Sequence, residues 1–384
     1  MRILAALTYF RPHVSGLTVY VERLARAWVL AGHDVTILTS HYRKDIPRDE
    51  ILDGIQIRRM PVAFRFSKGV IMPTIGFEST RQTLRHDFLS LHLPQFDAAG
   101  IALRGRLLGR PTVLTYHCDL KLPAGLLNGP AHGAVHLANH LAARFSDAIV
   151  AYTEDYARHS PFLSRYTSKL RVIPPPVEIP RPQPEDVAAF QDIRRGRGPV
   201  IGMAARLATE KGVEFLLEAL PTVLERHPRA HVLFAGQHER VLGEAEYARR
   251  LRPMLARVAD HWSFLGVLDP RRMAAFYTAC DVTVLPSLNS TESFGLVQVE
   301  SMLCGTPVVA SDLPGVRQPV RTTGMGKIVP THDAAALAEA ILAVLAERPE
   351  KTFDPEPLRR RHAPESIAAE YLELFQDLAT SRPR

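Results

Sequence analysis

Cysteine is scarce: Cys118, Cys280 and Cys304 are far apart, odd in number and without CxxC spacing. That pattern excludes a disulfide framework and gives no zinc-site signature, so the thiols read as reduced and structural. Long apolar runs are missing too. No stretch approaches the ~18–20 uninterrupted apolar residues of a membrane span, and Met1 to Leu7 lead into a strand pattern instead of a cleavable leader. A cytoplasmic protein is expected. Aromatic residues are only 7%, and no base-stacking or groove-reading motif accompanies the arginines, so nucleic acid is not expected as a partner. A DxD carboxylate pair at a strand end, the usual hold for Mg or Mn bridging phosphates, is absent as well, and no metal is expected.

What is present is a 384-residue chain, 46% apolar and 23% charged, a globular profile too long for one core. Two domains of roughly 150–200 residues each follow, with a cleft expected between them. The net charge of +7 is uneven. Residues 1–180 hold 22 Lys+Arg against 14 Asp+Glu, and 181–384 hold 25 against 26. Arg81, Arg85, Arg104, Arg106 and Arg110 cluster in a region that also carries apolar residues. Such a surface suits an anionic membrane face or a phosphate-bearing acceptor, although a plain solvated surface would look the same.

The opening MRILAAL, the helical pattern VYVERLARAWVLAG and the run VTILTS form a strand–helix–strand unit. Its right-handed crossover implies a parallel sheet. IQIRRM, FLSLHL, PTVLTYH and AIVAYT extend a first α/β domain over 1–173. The six prolines of VIPPPVEIPRPQPED predict an interdomain linker at 174–197. A second α/β domain over 198–360 has strand candidates PVIGMAAR, AHVLFAG, HWSFLG, DVTVLPS and TPVVAS. A helix is expected in 361–384, starting near Pro364.

Within ESFGLVQVESMLCGTPVVAS, Glu292 opens a glycine-containing turn, Glu300 is placed two helical turns later, and Gly305 ends the helix. Amides of Ser293, Phe294, Gly295 and Leu296 at a helix N-terminus favour an anion such as a diphosphate. The two glutamates would then accept hydrogen bonds from sugar or ribose hydroxyls. An E-x7-E pair alone reads first as two ordinary helix-surface residues. In GMAARLATEKGVEF, Arg206 follows a strand and Lys211 precedes Gly212 and a helix. Two such cations could neutralise a departing diphosphate in place of a metal, or be ordinary loop charges. His117 and Asp119 follow PTVLTY, at the carboxyl edge where parallel sheets bind ligands.

These segments resemble the retaining group 1 glycosyltransferases of family four. Glu292, Phe294, Gly295, Glu300, Met302, Gly305, Pro307 and Val308 match that family's signature, with Ser293 where glycine is common. Arg206 and Lys211 fall on its two phosphate-binding cations, with Ala205 replacing a glycine. The resemblance implies the GT-B fold, two Rossmann-like parallel α/β domains facing a central cleft, with the C-terminal helix crossing back to the first domain. It puts the donor sugar on Glu292, the phosphates on Gly295 and Leu296, the ribose on Glu300, and His117 near the sugar. Gly16 falls on the second glycine of the family's first glycine loop, with Ser15 where the first would be, and Gly236 and Gly266–Val267 fall on its base pocket. His92 and Asp119 belong to the acceptor side, although a turn-capping role suits Asp119 equally.

The function so implied is retaining, metal-independent transfer of a hexose from a nucleoside-diphosphate sugar (UDP- or GDP-hexose) to a lipid, glycan or small-molecule acceptor, with no cofactor beyond the donor. A peripheral position on the inner membrane face fits the basic N-terminal half. No protein nucleophile is required, because in the family's mechanism the leaving phosphate helps deprotonate the acceptor. Two alternatives remain open: a sugar-nucleotide epimerase of similar architecture, and a catalytically silent nucleotide-sugar-binding scaffold.

Overall fold

A computed structural model describes residues 1–66, 69–119, 128–194, 196, 198–347 and 353–381. The chain divides into two compact units, residues 1–176 with 361–384, and residues 177–360.

The first unit runs β1 (Arg2–Ala6), α1 (Gly16–Leu30), β2 (Asp34–His41), β3 (Asp49–Leu52), β4 (Ile55–Pro61), β5 (Phe64–Phe66), β6 (Gly69–Ile71), α2 (Ile75–Arg85), β7 (Phe88–Leu93), α3 (Ala98–Leu107), β8 (Thr112–Tyr116), α4 (Asn128–Phe145), β9 (Ala148–Ala151), α5 (Glu154–His159) and β10 (Leu170–Val172). Eight strands form one sheet in the order β10-β9-β8-β7-β1-β2-β4-β3, while β5 and β6 make a separate hairpin. All neighbours in the large sheet pair parallel except β3, which runs antiparallel on the edge. The central strands β7 and β8 are buried along their whole length and β1 from Ile3 onward, as a sheet covered on both faces requires. Ser15 caps α1, its Oγ accepting from the Thr18 N–H at 3.2 Å.

The second unit contains α6 (Pro184–Arg194), β11 (Val200–Ala204), α7 (Val213–Arg226), β12 (His231–Ala235), α8 (Ala245–Arg257), β13 (Trp262–Gly266), α9 (Pro270–Ala279), β14 (Val282–Leu285), α10 (Leu296–Leu303), β15 (Val308–Ser311), α11 (Gln318–Thr323), β16 (Gly326–Val329) and α12 (Ala334–Ala346), and α13 (Glu356–His362) spans the boundary back to the first. Its six strands are all parallel, in the order β13-β12-β11-β14-β15-β16. The last helix, α14 (Pro364–Thr380), belongs to the first unit. It lies on α1, where Trp28 Nε1–H donates to the Ala368 carbonyl at 3.3 Å and the Tyr20 and Tyr371 hydroxyls meet at 2.7 Å.

The linker expected at 174–197 needs correction. Among its described residues the proline-rich first part lacks regular structure, but Pro184–Arg194 is helical. Proline at the first helical position costs no hydrogen bond, and Glu185 and Asp186 complement the helix dipole. Arg271 on α9 then holds both acids, at 3.0 and 3.2 Å. Residues 195 and 197 of that segment, and 382–384 at the C-terminus, lie outside the described residues.

Candidate functional site

In the second unit β11 lies between β12 and β14, so the sheet order reverses there. Ligands of open α/β sheets bind outside the carboxyl ends of strands at such a reversal. Two loops leave that edge, 205–212 after β11 and 286–295 after β14, and they are tied together. The Leu288 N–H donates to the Glu210 carbonyl at 3.0 Å. Gly212 is left-handed at φ +63°, and a Cβ on it would lie 2.1 Å from the Pro286 carbonyl oxygen, so only glycine lets the loops approach this closely. The tie brings Lys211 Nζ to 2.5 Å from Glu292 Oε2. Arg206 sits on the same loop, donating from Nη2 to Glu210 Oε1 at 3.1 Å.

Glu292 lies in the loop and not on the helix: α10 begins only at Leu296, so the expected two-turn spacing to Glu300 is part loop, part helix. Gly295, at φ +78°, precedes the helix as its N-cap. A Cβ there would lie 2.4 Å from Leu285 Cδ2 and 2.7 Å from Gln298 Nε2. Its smallness therefore serves packing inside the unit. Ser293 and Phe294 are buried beneath this turn. The amides of Leu296 and Val297 open α10 at the positive end of the helix dipole, while the Gln298 N–H already donates to the Gly295 carbonyl at 3.0 Å. Glu300, half-buried on α10, accepts from the Tyr277 hydroxyl at 3.1 Å. Burial first, then the Glu300 carboxylate, push the Tyr277 phenol well above its usual range, so it remains a neutral donor to that carboxylate.

Gly236, at φ +137°, is also sterically required, since its Cβ would lie 2.0 Å from the Ala205 carbonyl oxygen. Beside it, Gly266 has open space where a Cβ would be, and Val267 is 66% exposed. The His238 ring stacks on Phe264 at 4.3 Å and 14°. This flat pair, one ring beyond β12 and the other within β13, went unnoticed in the sequence, as did Tyr277.

In the first unit, Gly16 is exposed at the start of α1 and nothing lies within 4 Å of where its Cβ would be. His92 and His117 come together but turn inward. His92 is fully buried on β7, and His117, just beyond β8, is 6% exposed. His92 Nδ1 and His117 Nε2 are 3.0 Å apart, His92 Nε2 meets Ser90 Oγ at 3.2 Å, and His117 Nδ1 meets the Tyr152 hydroxyl. Two neutral imidazoles satisfy this chain, one ring nitrogen donating to the other, whereas two protonated rings would set donor against donor. Burial accordingly pulls His92 down to about 3; burial, then His92, pull His117 well below its usual range. His117, expected near a donor sugar, thus has both ring nitrogens engaged inside the unit, and His92 does not line a surface. Asp119 accepts from Tyr116 at 2.9 Å and Ser160 at 2.7 Å, and its N–H donates to the Tyr156 hydroxyl at 2.6 Å, which makes it a loop anchor.

Of the clustered arginines, Arg104 is bonded to Thr80 and Gly100, Arg110 to the Leu84 carbonyl, and Arg81 to Glu78 at 3.0 Å. Arg85 is exposed, as are Phe77 (79%) and Leu84 (55%) on the same helix. Among the described residues no group of three or more His, Cys, Asp or Glu side chains could hold a metal ion, and no helix is long and apolar enough to cross a membrane.

Sequence models match on both units: one described as glycosyl transferases group 1 over residues 186–360, and one described as glycosyl transferase 4-like domain over residues 15–176. A D-inositol 3-phosphate glycosyltransferase of Acidothermus cellulolyticus is 32% identical over 356 residues, spanning 85% of this chain and 77% of that protein. The chain belongs to the group 1 glycosyltransferases. Within that family, a phosphatidyl-myo-inositol mannosyltransferase of Mycolicibacterium smegmatis is 26% identical over 361 residues, 90% of this chain and 85% of its own. An Anabaena protein solved in complex with UDP-glucose matches at a TM-score of 0.76 and 20% identity, over 98% of this chain and all of its own. The fold is therefore GT-B.

Proposed function

We propose that this glycosyltransferase moves a hexose from a nucleoside-diphosphate sugar to an inositol phosphate, free or as a lipid headgroup, with retention and without a metal. The observation that carries the donor half is the pairing of Lys211 with Glu292 at the sheet reversal of the second unit, on the loop that also carries Arg206, itself paired with Glu210. In transfer the bond from sugar C1 to the diphosphate oxygen breaks, and negative charge grows on the departing diphosphate. Two guanidinium or ammonium groups already in place, with the α10 amides, stabilise that charge most where it develops. Glu292 would accept from a sugar hydroxyl and Glu300, oriented by Tyr277, from the ribose. The acceptor oxygen bonds to C1 on the face the diphosphate leaves, and its proton passes to a departing phosphate oxygen. No protein nucleophile enters, and His117, locked in its buried chain, is assigned no proton.

The acceptor half rests on relatives named for inositol 3-phosphate and phosphatidyl-myo-inositol, and on the basic surplus of residues 1–180. Phe77 and Leu84, exposed on the helix α2 that also carries Arg81 and Arg85, support a peripheral position on an anionic membrane at the cytoplasmic face.

A calorimetric screen of UDP-, GDP- and ADP-hexoses in EDTA tests the donor, with wild type and Glu300→Ala. Binding by one hexose donor, lost in Glu300→Ala, is expected. No binding until Mg or Mn is added would overturn the metal-free reading. Transfer onto free inositol phosphate, compared with phosphatidylinositol vesicles, then separates the two acceptor sources.

A further inference from the structure

Lys211 stands on a loop, and loops are the most mobile part of such a fold. Its main chain nevertheless is gripped on both sides by the segment that leads from β12 into α8. Glu244 is only 8% exposed, and a carboxylate so buried is costly unless its oxygens are bonded. Its Oε2 accepts from Thr209 twice, from the N–H at 3.0 Å and from Oγ1–H at 2.7 Å. Three residues on, the buried Tyr247 hydroxyl accepts from the Val213 N–H at 3.1 Å and donates to Glu214. Arg250 holds that same glutamate at 2.7 Å and lies 5.2 Å over the Tyr247 ring.

The grips fall two residues before and two residues after Lys211. From the opposite side, Leu288 bonds Glu210 and Gly212 abuts the Pro286 carbonyl. A lysine is a point charge on a flexible stem, so the position of its anchoring backbone decides where its ammonium can reach. We propose that Glu244 and Tyr247 are positioning residues that hold Lys211 for the donor diphosphate. The proposal rests on Lys211 as a phosphate cation, and neither Glu244 nor Tyr247 need touch the donor.

A purely structural role would weaken every ligand of this unit alike; a positioning role weakens only those with a diphosphate. The test is calorimetry of UDP, GDP and ADP, each beside its phosphate-free nucleoside, on wild type, Lys211→Ala, Glu244→Ala, Glu244→Gln and Tyr247→Phe. Losing a buried bond to a charged group predicts that Glu244→Ala and Tyr247→Phe weaken the preferred diphosphate about 10-fold while leaving its nucleoside within about 2-fold. Glu244→Gln, which keeps an accepting oxygen, restores most of the affinity. Added to Lys211→Ala, Glu244→Ala causes no further loss, because both act through one ammonium. Should Glu244→Ala not fold, Thr209→Val removes one of its two bonds and is read the same way.

If Lys211→Ala weakens the diphosphate but Glu244→Ala and Tyr247→Phe do not, or if they weaken nucleoside and diphosphate equally, the positioning role is wrong and Lys211 keeps its own. If Lys211→Ala leaves diphosphate affinity intact, the reading of Lys211 fails and this inference falls with it.

Discussion

Lys211 Nζ lies 2.5 Å from Glu292 Oε2, so the cation assigned to the diphosphate is paired, before any donor arrives, with the carboxylate assigned to the sugar. The pair keeps the unloaded site near neutrality, and a diphosphate must compete with Glu292 for the ammonium. Glu292→Gln removes that competitor and keeps the shape. Taking a partly exposed ion pair at about 1 kcal/mol, the variant binds the sugar-free nucleoside diphosphate about 5-fold more tightly while losing transfer activity. Calorimetry beside a turnover assay checks both; weaker binding of the diphosphate would remove Glu292 as its competitor.

The histidine pair predicts how stability follows pH. Burial holds His92 near 3 and His117 lower still than usual, whereas both titrate near 6.5 in an unfolded chain. Below pH 6.5 the unfolded state takes up protons that the fold does not, so stability falls as pH falls, and above 6.5 this contribution is constant. The slope is about 1.4 kcal/mol per pH unit for each histidine down to the folded value. Urea midpoints should be flat from pH 7 to 8 and drop between 6 and 4.5, and His92→Gln should have a shallower drop. An unchanged slope would mean that His92 is not buried neutral.

Three glycines of the expected donor site separate by mechanism. Gly16 has no neighbour within 4 Å of a Cβ, while Gly236 and Gly295 have positive φ and contacts of 2.0 and 2.4 Å. Gly16→Ala should leave the thermal midpoint unchanged and alter donor affinity only. Gly236→Ala and Gly295→Ala should each cost roughly 2 kcal/mol or more. Equal stability of Gly295→Ala in urea titration would assign that glycine to ligand approach instead.

On α2, Phe77 and Leu84 are exposed beside Arg85, while Arg81 is partly spent on Glu78. A lysine or arginine near an anionic surface contributes about 1 kcal/mol, and an inserted phenyl ring a similar amount or more. Phe77→Ser combined with Arg85→Ser should reduce sedimentation with phosphatidylglycerol vesicles about 10-fold or more and spare soluble donor binding. Undiminished sedimentation would contradict a docking role for this helix.

The central strands were legible because a parallel sheet covered on both faces demands short apolar runs, as in Phe88–Leu93 and Val282–Leu285. The edge and hairpin strands Asp49–Leu52, Phe64–Phe66 and Leu170–Val172 were not, being short and carrying charge. In the site, Arg206, Lys211, Glu292 and Glu300 were picked out by resemblance to two family motifs, since their spacing alone also fits ordinary helix-surface and loop charges. Tyr277, Glu244 and Tyr371 were invisible because their partners lie 23, 35 and 351 residues away, with no local pattern to mark them. His117 shows the remaining limit. Its place at a strand end was readable, but not the Tyr152 and His92 side chains that close over both its nitrogens.

The most direct test of metal-free transfer from this site is hexose turnover in EDTA by wild type and Lys211→Ala, with the anomeric configuration of the product read by NMR. The account predicts turnover without metal, retained configuration, and a rate at least about 100-fold lower in Lys211→Ala, the scale of losing one preorganised charge contact. Turnover that requires Mg or Mn, or that survives Lys211→Ala unchanged, would contradict it.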